Sequence, residues 1–97
     1  MATIEQRIYN GDRAREVLEN EAFEQAFTDI KMELIEQWTN SPARDQEGRE
    51  KLYQLLKLAD KLKANLQNSL ETGKMARLDL AHEESMMQRA KRVVGLS

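Results

Sequence analysis

The residue types and spacing that come closest to a chemical site lie in the segment Asp79-Leu80-Ala81-His82-Glu83-Glu84. On a helix, Asp79 lies three residues before His82 and four before Glu83, so a carboxylate and the imidazole could share one face and bind a divalent cation. A closed metal site needs three or four ligands, and the chain has a single histidine. We therefore expect a solvated His82 and no metal site.

Other catalytic arrangements lack essential parts. The chain has no cysteine, which removes disulfides, thiol catalysis and thiolate metal sites. No Gly-x-Ser-x-Gly occurs to present a serine nucleophile, and Gly73-Lys74 is followed by Met75 without the upstream glycine of a phosphate-binding loop. The sequence therefore predicts a protein that is not an enzyme and that binds no cofactor.

Length and composition limit the fold. The 97 residues suit one small domain, and 40% of them are hydrophobic and 33% charged. No apolar run reaches the roughly eighteen residues of a membrane span, and the first residues lack the apolar stretch of a secretory signal. We therefore expect a cytoplasmic protein without membrane contact. Because only four glycines and one proline are present, few turns are available, and long helices of an all-α fold are expected.

Residues 20–73 are predicted to form an antiparallel helical hairpin of two long amphipathic helices. The first helix begins at the N-cap Asn20 and carries apolar residues at helical spacing: Phe23, Ala26, Phe27, Ile30, Leu34 and Trp38. The second helix, from about Gln46 to Thr72, is capped by Asp45 and carries a near-heptad row: Leu52, Leu55, Ala59, Leu62, Leu66 and Leu70. Leu56 and Leu58 add apolar surface beside that row.

Three sequence breaks set the predicted boundaries. Pro42 separates the two long helices, because the residue before a proline avoids the helical conformation. Gly73 is expected to end the second helix. In residues 1–19, a short N-terminal helical arm, Thr3 is the expected N-cap. Asn10-Gly11 is expected to divide two short helices, the second of which is capped by Asp12. Residues 74–97 are predicted to form a C-terminal helix or an adaptable tail.

A leucine row that projects beyond a shorter partner helix leaves apolar area for another protein to cover. Methionines in the last segment suit surfaces that adapt to a partner. The predicted oligomer or partner interface consists of six residues: Leu55, Leu62, Leu66, Leu70, Met86 and Met87.

Charge is divided unequally along the chain. Residues 1–50 hold six Lys/Arg and twelve Asp/Glu, a net charge of −6, whereas residues 51–97 hold nine and five, a net charge of +4. This asymmetry favours pairing of the two halves within one chain or between copies, and a homo-oligomer is the expected partner. Nucleic acid is a less favoured partner, because the basic residues are dispersed and the sequence pI is about 5.5.

Several stretches between Glu21 and Leu80 carry a resemblance to a family: Ala22-Phe23-Glu24-Gln25-Ala26-Phe27, Glu33-Leu34-Ile35-Glu36-Gln37-Trp38, Asn40-Ser41-Pro42-Ala43-Arg44-Asp45, Glu47-Gly48-Arg49-Glu50 and Glu71-Thr72-Gly73-Lys74. In these stretches the chain resembles small helical proteins encoded by tailed phages and prophages, often near virion genes. The resemblance implies a phage protein of the host cytoplasm or the virion, with other phage proteins as partners. It implies no catalytic residues.

Three functions follow as hypotheses. The first is a non-enzymatic helical assembly protein, either a virion structural component or a morphogenesis factor. The second is a DNA-associated phage protein, such as a terminase small subunit or a regulator. It would need a helix-turn-helix, for which only the short helices around Asn10-Gly11 are candidates. The third is an inhibitor of a host protein, which the acidic first half permits.

Overall fold

The protein is an extended helical rod. A computed structural model describes residues 2–93, in which α1 spans Ile4–Leu18, α2 spans Glu21–Asn40 and α3 spans Gln46–Val93, without any strand. The all-α prediction is therefore confirmed. The rod measures 77 × 25 × 16 Å and has a radius of gyration of 21.8 Å. A compact chain of this length would have a radius of gyration of about 12.5 Å.

Helix α3 is the element along which the other two helices lie. Lys31 of α2 pairs with Asp60 of α3. Nearer the connection, Trp38 of α2 contacts Arg49 of α3, so the two helices run in opposite directions. Gly11 of α1 contacts Gly73, which places α1 on the later half of α3. Helices α1 and α2 make few contacts with each other. The rod is thus held together almost entirely by packing against α3.

Asp12, expected to cap a second short helix, lies inside α1, whereas the predicted N-caps Thr3, Asn20 and Asp45 are confirmed. In each, a side-chain oxygen accepts a hydrogen bond from the backbone N–H three residues later, at 3.0–3.1 Å. At the first cap, the side chain of Gln6 also accepts from the backbone N–H of Thr3 at 3.0 Å, which completes a capping box. Each cap stabilises its helix by about 1 kcal/mol, because it satisfies a backbone donor that has no partner within the helix.

The predicted breaks at Gly11 and Gly73 are wrong, because both glycines lie inside helices. A Cβ atom on Gly11 would lie 2.9 Å from the Cα of Gly73 and 3.0 Å from the carbonyl oxygen of Ser69. A Cβ atom on Gly73 would lie 2.9 Å from the Cα of Gly11 and 3.0 Å from the carbonyl oxygen of Arg7. The backbones of α1 and α3 are therefore in contact. The two glycines allow this close approach of the helices and do not end them.

Alanines complete this crossing of α1 and α3. Each glycine is followed three residues later by an alanine, Ala14 in α1 and Ala76 in α3. These two alanines are only 4% and 1% exposed, and they are the buried apolar side chains of the described residues. At one edge of the crossing, Arg77 donates to a carboxylate oxygen of Asp12 at 2.6 Å. The core at this level is therefore narrow and consists of small residues.

The row of α3 that faces the other helices differs from the predicted row. The half-buried residues at heptad spacing are Leu52, Leu56, Ala59, Lys63, Leu66 and Leu70. Leu56 and Lys63 thus occupy the places predicted for Leu55 and Leu62, both of which are exposed. A lysine can replace a leucine here because its ammonium lies 5.1 Å from the centre of the Phe27 ring, while its aliphatic part lies along the apolar contact.

We expect Gly73→Ala to destabilise the protein by about 1–3 kcal/mol, although alanine has the higher helix propensity, because its Cβ would push the two backbones apart. The free energy of unfolding is measured by urea denaturation, followed by circular dichroism at fixed protein concentration.

The matched control is Ala64→Gly, at an exposed position of the same helix. It should destabilise by only about 1 kcal/mol, the difference in propensity alone. A Gly73→Ala protein that is more stable than the wild type would contradict the backbone contact.

Candidate interaction surface

An exposed apolar surface runs along one flank of the α2 and α3 pair. It consists of Ile30 of α2 and Leu55, Leu58 and Leu62 of α3, and we call these four side chains the leucine strip. Their exposed fractions lie between 48% and 62%. The three leucines are three and four residues apart, so they form one line on the surface of α3.

The leucine strip lies on the flank opposite the ion pair of Lys31 and Asp60. The Lys31 ammonium lies 2.8 Å from a carboxylate oxygen of Asp60. Each residue of a helix turns by about 100°, so Leu62 points about 200° away from Asp60. Ile30 lies about 100° from Lys31, on the far side of the row that contacts α3. One flank of the helix pair therefore carries this ion pair, and the other carries the leucine strip.

Two lysines occupy places in the contact between α2 and α3 that apolar neighbours could have taken. Lys31 is half-buried while Ile30 beside it is exposed, and Lys63 is half-buried while Leu62 beside it is exposed. Rotation of each helix toward Ile30 and Leu62 would bury those two side chains instead. The observed packing thus leaves this isoleucine and this leucine on the outside.

Arg49 holds α2 and α3 in this rotation. Its guanidinium lies over the ring of Trp38, 3.9 Å from the ring centre. The same group donates to the carbonyl oxygens of Trp38 and Ser41 at 3.3 Å and to the Ser41 hydroxyl at 2.8 Å. Ser41 is the residue that follows α2, so this network fixes the end of one helix to the first turn of the next.

The charged flank carries one perturbed carboxyl group. The hydrogen bond from Lys31 holds the pKa of Asp60 below its ordinary value of 3.8, and the charges of Lys57 and Lys63 lower this pKa further. A lowered pKa in the folded state means that this carboxylate stabilises the fold near neutral pH. That contribution is lost as the pH falls through the pKa of the folded state.

The structure divides the six predicted interface residues into three groups. Leu55 and Leu62 belong to the leucine strip. Leu66 and Leu70 are half-buried at the level of α1. Met86 and Met87 are exposed on the part of α3 that extends beyond α1. These residues therefore do not form one surface.

Sequence reasoning missed Leu58 and Ile30 as members of the exposed surface. Leu58 was expected beside the contact row, and Ile30 within it. The available signal was the spacing of Leu55, Leu58 and Leu62, which places three leucines on a single line of the helix surface.

His82 is exposed on α3, and so are its acidic neighbours Asp79 and Glu83. Within residues 2–93, no group of three or more His, Cys, Asp and Glu side chains is placed to hold a metal ion. Across the same range, no helix is both long enough and apolar enough to cross a bilayer. Residues 94–97 of the predicted C-terminal segment lie outside the described residues.

Comparison of the chain with protein-family models, with curated proteins and with solved structures finds no match. We therefore infer the function from the surfaces of the chain itself. Among those surfaces, the leucine strip gathers four large apolar side chains on one exposed flank.

We expect Arg49→Lys to destabilise the protein by about 1–2 kcal/mol, because lysine lacks the planar group that stacks on Trp38 and donates to Ser41. The measurement is urea denaturation at fixed protein concentration. Arg13→Lys is the matched control, since the exposed Arg13 guanidinium lies 5.5 Å from the ring centre of Tyr9 in its own helix. Its effect should stay within about 0.5 kcal/mol. Equal effects of the two substitutions would contradict the role assigned to Arg49.

We expect Lys31→Gln to raise the pKa of Asp60 toward its ordinary value, because the substitution removes both the hydrogen-bonding ammonium and its charge. NMR titration of the Asp60 carboxyl carbon measures this change, and stability should then fall less steeply in the acid range. Lys74→Gln, a distant exposed control, should leave the titration unchanged. If Asp60 titrates at the same pH in the wild type and in Lys31→Gln, the ion pair is absent in solution.

Proposed function

We propose that this chain is a non-enzymatic helical assembly protein that acts by associating through exposed apolar surface. Following the resemblance of its sequence, we place it in a phage setting, as a virion structural component or a morphogenesis factor. The observation that carries the proposal is the unusually large accessible surface of the rod. That surface measures 8065 Å², whereas a compact monomer of 11.3 kDa would expose about 5,700 Å².

The small core supports the same proposal. No large side chain of the described residues is fully buried, and the buried apolar residues are Ala14 and Ala76. Burial of apolar surface is the dominant favourable term in folding, so a rod of this kind gains little from its own interior. Association would cover the apolar side chains that the fold leaves outside.

The two oppositely charged halves lie beside each other within the chain. Helices α1 and α2 both pack along α3, which carries most of the second half. Asp12 of the acidic half pairs with Arg77 of the basic half. The net charges of −6 and +4 therefore lie side by side along the rod instead of polarising its two ends. This arrangement favours apolar association over an electrostatic head-to-tail contact.

A DNA-associated role has no comparable support. The two short helices that a helix-turn-helix would need around Asn10-Gly11 form one continuous helix, α1. Lys63 of α3 is engaged with the Phe27 ring of α2, and Arg77 of α3 pairs with Asp12 of α1. A phosphate-binding surface would instead need its cations gathered on one accessible face.

The proposal is tested by sedimentation velocity and light scattering over a wide range of protein concentration. We expect a discrete oligomer of the 11.3 kDa chain, with a melting temperature that rises with protein concentration. A monomer at all concentrations, with a constant melting temperature, would contradict the proposed function.

A further inference from the structure

We infer that the leucine strip is the contact surface for a second copy of this chain, related to the first by a two-fold axis that passes close to Leu58. This inference rests on the proposed function, association through exposed apolar surface. It adds the partner, the surface and the symmetry of the contact. The three following observations carry it.

The first observation is that the leucine strip continues a face of α3 that already binds a helix. From Leu62, the same line proceeds in steps of four and three residues: Leu66, Ser69, Gly73 and Ala76. Helix α1 covers this later part, where Gly73 and Ala76 are buried. Helix α2 packs about a quarter of a turn away around α3, on Leu56, Ala59 and Lys63. The earlier part of the α1-binding face is therefore open.

The second observation is the self-complementary spacing of the three leucines. In a two-fold contact of antiparallel helices centred near Leu58, each Leu58 meets its own copy. Leu55 of one chain then lies opposite Leu62 of the other, because these residues are three before and four after Leu58. One surface thus supplies both sides of the contact, as a symmetric dimer requires.

The third observation is the area available. The accessible surface of the chain exceeds that of a compact monomer by about 2,300 Å². Each partner of a standard stable interface contributes about 800 Å². The surplus of the whole rod is therefore larger than the area that one such contact needs. The Lys31 and Asp60 pair lies on the opposite flank, so the contact does not bury that ion pair.

The substitution that tests this surface is Leu58→Glu, which would bring two carboxylates together at the two-fold axis. We expect the dissociation constant of the dimer, measured by sedimentation, to rise at least about a hundredfold. The matched control is Leu78→Glu, an equally exposed leucine of α3 outside the strip. It should leave the dimer intact. Circular dichroism reports whether each variant keeps its helices.

Crosslinking provides a test that does not depend on the folding of a monomeric variant. Because the chain has no cysteine, Leu58→Cys introduces a single thiol. A short bismaleimide should join two copies of Leu58→Cys in high yield, whereas Leu78→Cys should remain largely uncrosslinked.

The outcomes separate the inference from the proposed function. An oligomer that persists in Leu58→Glu, or that crosslinks as well through Leu78→Cys, would overturn this surface and leave the proposed function standing. Loss of the oligomer in both glutamate variants would also overturn it, because the contact would not be confined to the strip. A wild-type protein that is monomeric at all concentrations would overturn the proposed function itself.

Discussion

The contact between the backbones of Gly11 and Gly73 determines where every other element lies. Each glycine in a helix interior costs about 1 kcal/mol relative to alanine, and this crossing uses one in each helix. In return, α1 approaches α3 closely enough for Ala14 and Ala76 to fill the space between them. The crossing fixes α1 along the later half of α3. The chain continues from α1 into α2 after only two residues, so α2 must follow the earlier half.

The two halves of the rod therefore pack differently. Where α1 lies, the distance between α1 and α3 is small and the core consists of glycine and alanine. Where α2 lies, the contact contains aromatic rings and the aliphatic parts of lysines, including Phe27 with Lys63. Helix α2 also lies about a quarter of a turn around α3 from the face that α1 covers. The open leucine strip is a direct consequence. The face of α3 that α1 covers from Leu66 onward is left uncovered in its earlier part, which includes Leu55, Leu58 and Leu62.

How much of this could be predicted depends on the range of the interaction. The caps Thr3, Asn20 and Asp45 are predictable because each bonds a backbone group three residues away. Gly11 and Gly73 are not, because a glycine that ends a helix and one that admits a neighbouring backbone look alike locally. The second case is decided by a residue 62 positions away in the sequence. The repeated Gly-x-x-Ala spacing is the one local trace of it.

The contact row of α3 and the leucine strip were harder to predict for a different reason. Apolar periodicity alone assigns Leu62 to the inside and Lys63 to the outside, and the structure reverses both. Lysine has an apolar stem and a charged end. It therefore suits a partly buried position from which its ammonium group can reach an aromatic ring or a carboxylate. Hydrophobicity ranks single residues, whereas the rotation of a helix follows from its contacts as a whole, including the Arg49 network at the connection.

Folding and the proposed association consequently depend on different residues. The glycine crossing tolerates no added atom, because the neighbours of each missing Cβ are backbone atoms that cannot rotate away. The leucines of the strip are about half exposed, so they contribute little to packing within the chain. A monomer would be more soluble with polar residues at these positions, and the chain has lysines that it places inside instead. Apolar side chains at Leu55, Leu58 and Leu62 therefore make physical sense chiefly as a surface that another helix covers.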